Sequence, residues 1–220
     1  MPPVDPPPGQ HSDQVRDHWW WRPGWRAGRR GYAFHVTFEG QRALHALADV
    51  HRRALSGLET VTLIPDRWLH LTMQTVGFTD AVPGPDVSRV ARRAAELLAD
   101  LGPCDVEFGT ATVTREAVVM FAEPAGAVRR LHRATRSAIA DVLGADRLVG
   151  DPSRFRPHVS IAYLTADGSA QPYIAALAEV APDPVRVHID HVDLIEMHRD
   201  NRMYEWRVVD TLALGRGGTP

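Results

Sequence analysis

The chain is expected to fold as an α+β protein of two pseudo-symmetric lobes, each an antiparallel sheet flanked by helices, with an active cleft between the lobes. Three observations lead there. The apolar pattern alternates along the chain between a period of two and a period near 3.6. The order strand, helix, strand occurs twice. The second strand of each series opens on a histidine, a spacer and a hydroxyl residue, "HLTM" (70–73) and "HVSI" (158–161). With 220 residues, 44% of them hydrophobic and 24% charged, the chain is long enough to bury such a core.

The elements follow in order. "MPPVDPPPGQ" opens a proline-rich tail over 1–16, expected to be disordered. A segment dense in tryptophan and arginine, 17–30, is broken by Pro23 and Gly24 and reads as irregular. The bilobal domain spans 31–214, and 215–220 form a flexible tail. In "GYAFHVTFE" (31–39), Phe34, Val36 and Phe38 alternate with His35 and Thr37, the sign of a half-buried strand. Residues 41–55 place Leu44, Leu47, Ala48 and Leu55 near helical spacing. Strands at 58–64 and 69–77 flank a turn at Pro65-Asp66. A helix at 86–102 has Asp86 as cap and Gly102 as stop. The second half offers a strand pair, 104–114 with 117–123, then a helix at 125–144. A loop, 151–157, leads into the strand 158–164. A short helix at 172–180 and strands near 185–197 and 203–214 end the domain.

Composition removes several classes of function. The charge is −2, from 25 basic against 27 acidic residues, which excludes a generally basic nucleic-acid coat. Every basic residue is arginine, so no lysine is present to form a Schiff base or to be charged with a nucleotide. Cys104 is alone, which leaves no disulfide framework and no thiolate metal cluster; it reads as a buried structural thiol. No membrane span and no secretory leader are expected, and the cytoplasm is the expected location.

A histidine, a spacer and a hydroxyl residue also occur at "HVTF" (35–38). Chance supplies roughly 0.4 such motifs in a chain of this composition, so three call for an explanation. Position selects two of them. His70 and His158 each follow a turn or loop ending near a proline, Pro65 and Pro157, whereas His35 precedes the helix of its lobe and its counterpart "AVVMFAE" has no histidine. By alternation His70, Thr72 and Gln74 share one strand face, with Leu71 and Met73 on the other; His158 and Ser160 likewise oppose Val159 and Ile161.

The stretches "IPDRWLHLTMQTVGF" (64–78) and "RFRPHVSIAYL" (154–164) resemble the two-histidine (2H) phosphoesterases. The branch they resemble is the 2′-5′ RNA ligases, or RNA 2′,3′-cyclic phosphodiesterases. The resemblance extends loosely over 31–214. It implies His70, Thr72, His158 and Ser160 as catalytic residues, with serine in place of threonine in the second motif. The Trp-rich segment and the His35 motif lie outside the family pattern. Two imidazoles flanking one phosphorus supply both base and acid, because histidine titrates near neutrality, and the hydroxyls bond the non-bridging oxygens. A bell-shaped pH–rate profile is expected. No cofactor or metal is implied.

Further contacts have two readings each. Arg154 and Arg156 suit phosphate oxygens or a solvated loop, and His35 suits substrate contact or strand packing. Trp21 and its neighbours Trp19, Trp20 and Trp25 suit nucleobase stacking or the covering of a sheet edge. Tyr163 falls opposite His158 by alternation. His188 and His191, three apart on a strand, point to opposite faces and do not suggest a metal site. The expected activity is hydrolysis of 2′,3′-cyclic phosphate ends of RNA or of small cyclic nucleotides by a monomer. The alternatives are 2′-5′ ligation at the same site, a non-catalytic RNA-binding protein of this fold, and a phosphodiesterase for another small metabolite.

Overall fold

Pro7 and residues 9–215 are described in a computed structural model of the chain; residues 1–6, 8 and 216–220, which include most of the proline-rich start and the expected C-terminal tail, lie outside it. The elements run β1 (Gln14–Val15), β2 (Gly31–Thr37), α1 (Arg42–Leu55), β3 (Val61–Leu63), β4 (His70–Phe78), α2 (Gly84–Ala99), β5 (Cys104–Phe108), β6 (Thr112–Val113) and β7 (Ala117–Phe121). They continue with α3 (Ala125–Leu143), β8 (His158–Leu164), β9 (Gly168–Ser169), α4 (Gln171–Leu177), β10 (Val185–Ile189), β11 (His191–His198) and β12 (Glu205–Ala213).

Two four-stranded antiparallel sheets form the lobes. One has the order β12-β11-β2-β4, the other β3-β8-β7-β6. Each carries its histidine motif on the strand nearest the other lobe, and β4 and β8 are packed against each other. The lobes are not the two halves of the chain. Helix α1 packs on β8 and α4, whereas α3, from the second half, packs with α2 and on β4. Strand β3 joins the second sheet while β11 and β12 join the first. This exchange makes one continuous core: Phe34, Leu44, Leu71, Leu131 and Ile161 all belong to it and are at most 1% exposed. Burying each such side chain is worth about 1.5–3 kcal/mol.

Several local expectations are corrected. Residues 11–16 are docked rather than disordered: Gln14–Val15 pairs with Gly168–Ser169, and the amides of Ser12 and Arg16 donate to the carbonyls of Val113 and Arg115. The expected pairing of 104–114 with 117–123 holds only for Thr112–Val113, which pairs with β7; β5 pairs with β10 along its whole length and touches the β7 side by a bridge at Glu107–Glu123. The strand expected over 185–197 breaks at Asp190 into β10 and β11, which lie in different sheets. Helix α2 begins at Gly84 after Pro83, which leaves Asp86 in its first turn rather than at the cap. No helix among the described residues is long and apolar enough to cross a membrane.

An ion cluster around one buried arginine sets the approach to the first motif. Arg52 of α1, 8% exposed, donates to the Ile64 carbonyl at 2.6 Å and to Asp49 at 2.7 Å, and pairs with Asp66. Asp66 opens the 3₁₀ turn Asp66–Trp68 that delivers His70. Arg52→Ala leaves the Ile64 carbonyl without its donor, and we expect a loss of about 1–3 kcal/mol in urea unfolding. An unchanged midpoint and slope would show the cluster to be inert.

Candidate active site

Both motif histidines are anchored alike. The Nδ1–H of His70 donates to the carbonyl of Trp68 at 2.9 Å, and that of His158 to the carbonyl of Arg156 at 2.8 Å, each two residues upstream. A carbonyl only accepts, so the proton of each neutral ring sits on Nδ1 and Nε2 keeps its lone pair. Pro65 and Pro157 help to shape these approaches, since a proline fixes φ and biases the residue before it to extended backbone.

A second repetition lies further along each strand. Met73 is an extra residue between Thr72, opposite His35, and Gln74, opposite Phe34; Ile161 is the extra residue between Ser160, opposite Val119, and Ala162, opposite Val118. Each bulge falls three residues after its histidine and reverses the alternation beyond it. His70 with Thr72, and His158 with Ser160, remain on common faces. Gln74 does not share theirs. It turns toward the helices, accepting from Arg136 of α3 at 2.9 Å and donating to the Val149 carbonyl at 3.1 Å. Tyr163, expected on the far face, is brought to the side of His158 and stacks on His18 at 4.2 Å.

The two histidines differ in surroundings. His70 is 9% exposed; burial pushes its pKa down to about 4 against the help of the Trp68 carbonyl, and the charge of His158 opposes its protonation further. His158 is exposed at the mouth, with the ring of Phe121 edge-on at 6.2 Å. Thr72 is exposed and Ser160 half-buried.

Aromatic rings enclose His70. Trp206 stands edge-on at 5.0 Å, Tyr204 at 6.3 Å, and Trp68 packs against Trp206 at 4.8 Å. Sequence reasoning missed all three. Trp68 adjoins the motif, but Tyr204 and Trp206 reach it only because β12 belongs to the first sheet. His35 is 2% exposed and its ring lies parallel to that of His70 at 4.3 Å, so it is covered rather than open to a ligand.

The Trp/Arg segment runs between the lobes. Trp20 Nε1 donates to Glu116 at 3.0 Å, Arg22 pairs with the same carboxylate, and the His18 amide donates to the Leu164 carbonyl, all on the second lobe. Trp25 then packs edge-on against Phe78 and Arg29 pairs with Asp80, on the first. Gly24 makes the turn at φ +82°, where a Cβ would lie 2.7 Å from the Phe78 ring. Arg199, 5% exposed, clamps this strap by donating to the His18 carbonyl at 3.2 Å and lying over Trp19. Of the remaining candidates, Trp21 is 59% exposed on the strap and Arg154 is half-buried, 3.9 Å from Asp151. Arg156 is half-buried and supplies the carbonyl that anchors His158. His188 and His191 sit on different strands, each against its own aspartate, Asp105 and Asp190.

Matched histidine motifs, anchored alike on two strands packed against each other, are the mark of the two-histidine phosphoesterase class. The chain belongs to the 2′-5′ RNA ligase superfamily, whose family model matches residues 51–201. No curated protein matches. Among solved structures, TT0787 of Thermus thermophilus is 20% identical with a TM-score of 0.64, covering 87% of this chain and 100% of its own. Escherichia coli LigT complexed with 3′-AMP is 14% identical with a TM-score of 0.57, covering 84% and 98%. ATU0111 from Agrobacterium tumefaciens, a conserved protein of unknown function, is 18% identical with a TM-score of 0.56, covering 82% and 85%. At these identities the likeness is one of fold. The strap, His35, Tyr204 and Trp206 all lie outside the matched family span.

Proposed function

We propose that the chain is a metal-independent phosphodiesterase that opens 2′,3′-cyclic phosphate ends of RNA or of small nucleotides. The observation that carries this reading is the matched anchoring of His70 and His158, which turns each Nε2 away from its own backbone on two strands packed against each other. The asymmetry of the pair supports one division of roles. His70, desolvated and uncharged at neutral pH, takes the proton of the attacking water; His158, open to solvent, gives its proton to the departing ribose oxygen. One P–O bond forms as another breaks, giving a phosphomonoester and a free hydroxyl. Water then carries the proton from His70 back to His158. The hydroxyls of Thr72 and Ser160 hold the non-bridging oxygens as charge moves onto them.

A nucleotide substrate is supported by the complexes of the LigT fold relative with 3′-AMP, ATP and NADP+. Arg154 and Arg156, on the loop before His158, are the proposed partners for further phosphates, and Trp21 a proposed stacking surface. His35 is withdrawn from that list because His70 covers it.

The test is an oligonucleotide ending in a 2′,3′-cyclic phosphate, incubated with the purified protein in excess chelator. A phosphomonoester end is the expected product. Binding without turnover would instead favour a non-catalytic RNA-binding role. The family name favours a second reading, in which the same site runs backward to join a 5′-hydroxyl to the cyclic end; adding that second strand in the same assay would reveal it.

A further inference from the structure

Neither the motif pair nor the family span accounts for His35. It lies on β2 opposite Thr72 of β4 and Asp193 of β11. Its ring is stacked on that of His70 with centroids 4.3 Å apart and planes 5° from parallel. Trp206 stands edge-on to both rings, at 5.5 Å from His35 and 5.0 Å from His70, so one indole fixes the pair together. His35 is 2% exposed and its Nδ1 is buried without a hydrogen-bond partner. A polar ring kept under these conditions costs stability. An apolar side chain would carry no unpaired nitrogen here, so packing alone gives no reason for an imidazole.

The groups around the stack are few. From β11, Asp193 is the nearest carboxylate in register, but Thr37 and Thr211 each donate to it at 2.6 Å and His191 stands 3.6 Å away. From β8, the charge of His158 reaches His70; on the strap, His18 feels the charge of His70; Tyr204 lies 6.3 Å from the His70 ring. No carboxylate forms a hydrogen bond or ion pair with His70 among the described residues. The proton affinity of His70 is therefore set by its burial and by the rings packed on it.

Resting on the reading of His70 as the base, we propose that His35 is a positioning residue for the reaction. Its buried ring excludes water from one face of His70 and holds that ring in the plane set by the Trp68 carbonyl. Burial also keeps His35 itself well below the usual histidine range, so it stays uncharged while His70 is protonated. The third motif of the sequence then serves the first one, from the neighbouring strand.

The test compares His35→Ala with His35→Phe and uses two readouts. In steady-state kinetics, His35→Ala is expected to lower kcat by about 10–100-fold with KM within about threefold. The acid limb of its rate profile should move up by about one pH unit, because water reaches His70 and makes its protonation easier. His35→Phe, which restores a ring against His70, should recover most of kcat. Independently of activity, the 15N titration of His70 should move upward in His35→Ala and stay low in His35→Phe. An unmoved His70 titration in a folded His35→Ala protein, or equal loss of kcat in both variants, would overturn the proposal. His70→Ala is assayed alongside. If that variant keeps turnover, the base assignment falls; if it is inactive while His35→Ala behaves as the unaltered protein, only the role of His35 falls.

Discussion

Replacing either His70 or His158 by alanine is expected to lower kcat on a 2′,3′-cyclic phosphate by about 10²–10⁴-fold, with little change in KM. Each ring supplies one of two proton transfers that occur in the same step, so the double variant should be only slightly worse than the poorer single one. The two variants should differ in how they are rescued. His158 is exposed, so its removal leaves an open notch that added imidazole can enter. His70 is closed in by His35 and Trp206, and its removal leaves a gap under aromatic cover with the Trp68 carbonyl unpaired. We expect imidazole to restore His158→Ala measurably and His70→Ala hardly at all, and His70→Ala to lose about 1 kcal/mol of stability. Wild-type turnover in either variant would refute two-histidine catalysis.

Stability should fall steeply as the medium is acidified from pH 6.5 toward 4. His70 and His132 are pushed by burial from the usual 6.5 to about 4 and His18 to about 3, while His35 and His51 move the same way. A depressed histidine binds its proton more readily in the unfolded chain. Each therefore destabilises the fold as pH drops below 6.5, until the folded ring also protonates. For His70 the difference corresponds to about 3 kcal/mol. His191 acts in the opposite sense. Hydrogen bonding to Asp193 and Asp190 raises it to about 9, so its contribution is complete below 6.5 and is lost between there and 9. Calorimetric melting temperatures from pH 4 to 9 should thus decline mainly on the acid side. A flat profile from 6.5 to 4 would mean that these rings are hydrated in the folded state.

What could be read from the sequence was local. The His-x-Thr and His-x-Ser strands, the helices and the choice of His70 and His158 over His35 all rest on periodicity and neighbouring prolines, which act within a few residues. The exchange of α1, β3, α3, β11 and β12 between lobes depends on contacts far apart in sequence, and an amphipathic helix does not say which sheet it covers. The bulges at Met73 and Ile161 were hidden because both residues are apolar, as the regular strand pattern also requires. Gln74 and Tyr163 were misplaced for that reason. Trp206 and Tyr204 carry no motif; only the pairing of β12 with β11 brings them over His70. The strap was rightly read as irregular, but its docking on Glu116 and Asp80 joins residues 94 and 51 positions apart.

Two-histidine catalysis requires that two imidazole nitrogens reach one phosphorus. Titrating inorganic phosphate into 15N-histidine-labelled protein tests that without reference to any substrate. Nε2 of His70 and of His158 should shift together with a single dissociation constant, while their Nδ1 resonances, tied to Trp68 and Arg156, stay nearly still. Phosphate that shifts only one of the two rings, or shifts them with separate constants, would contradict a shared site.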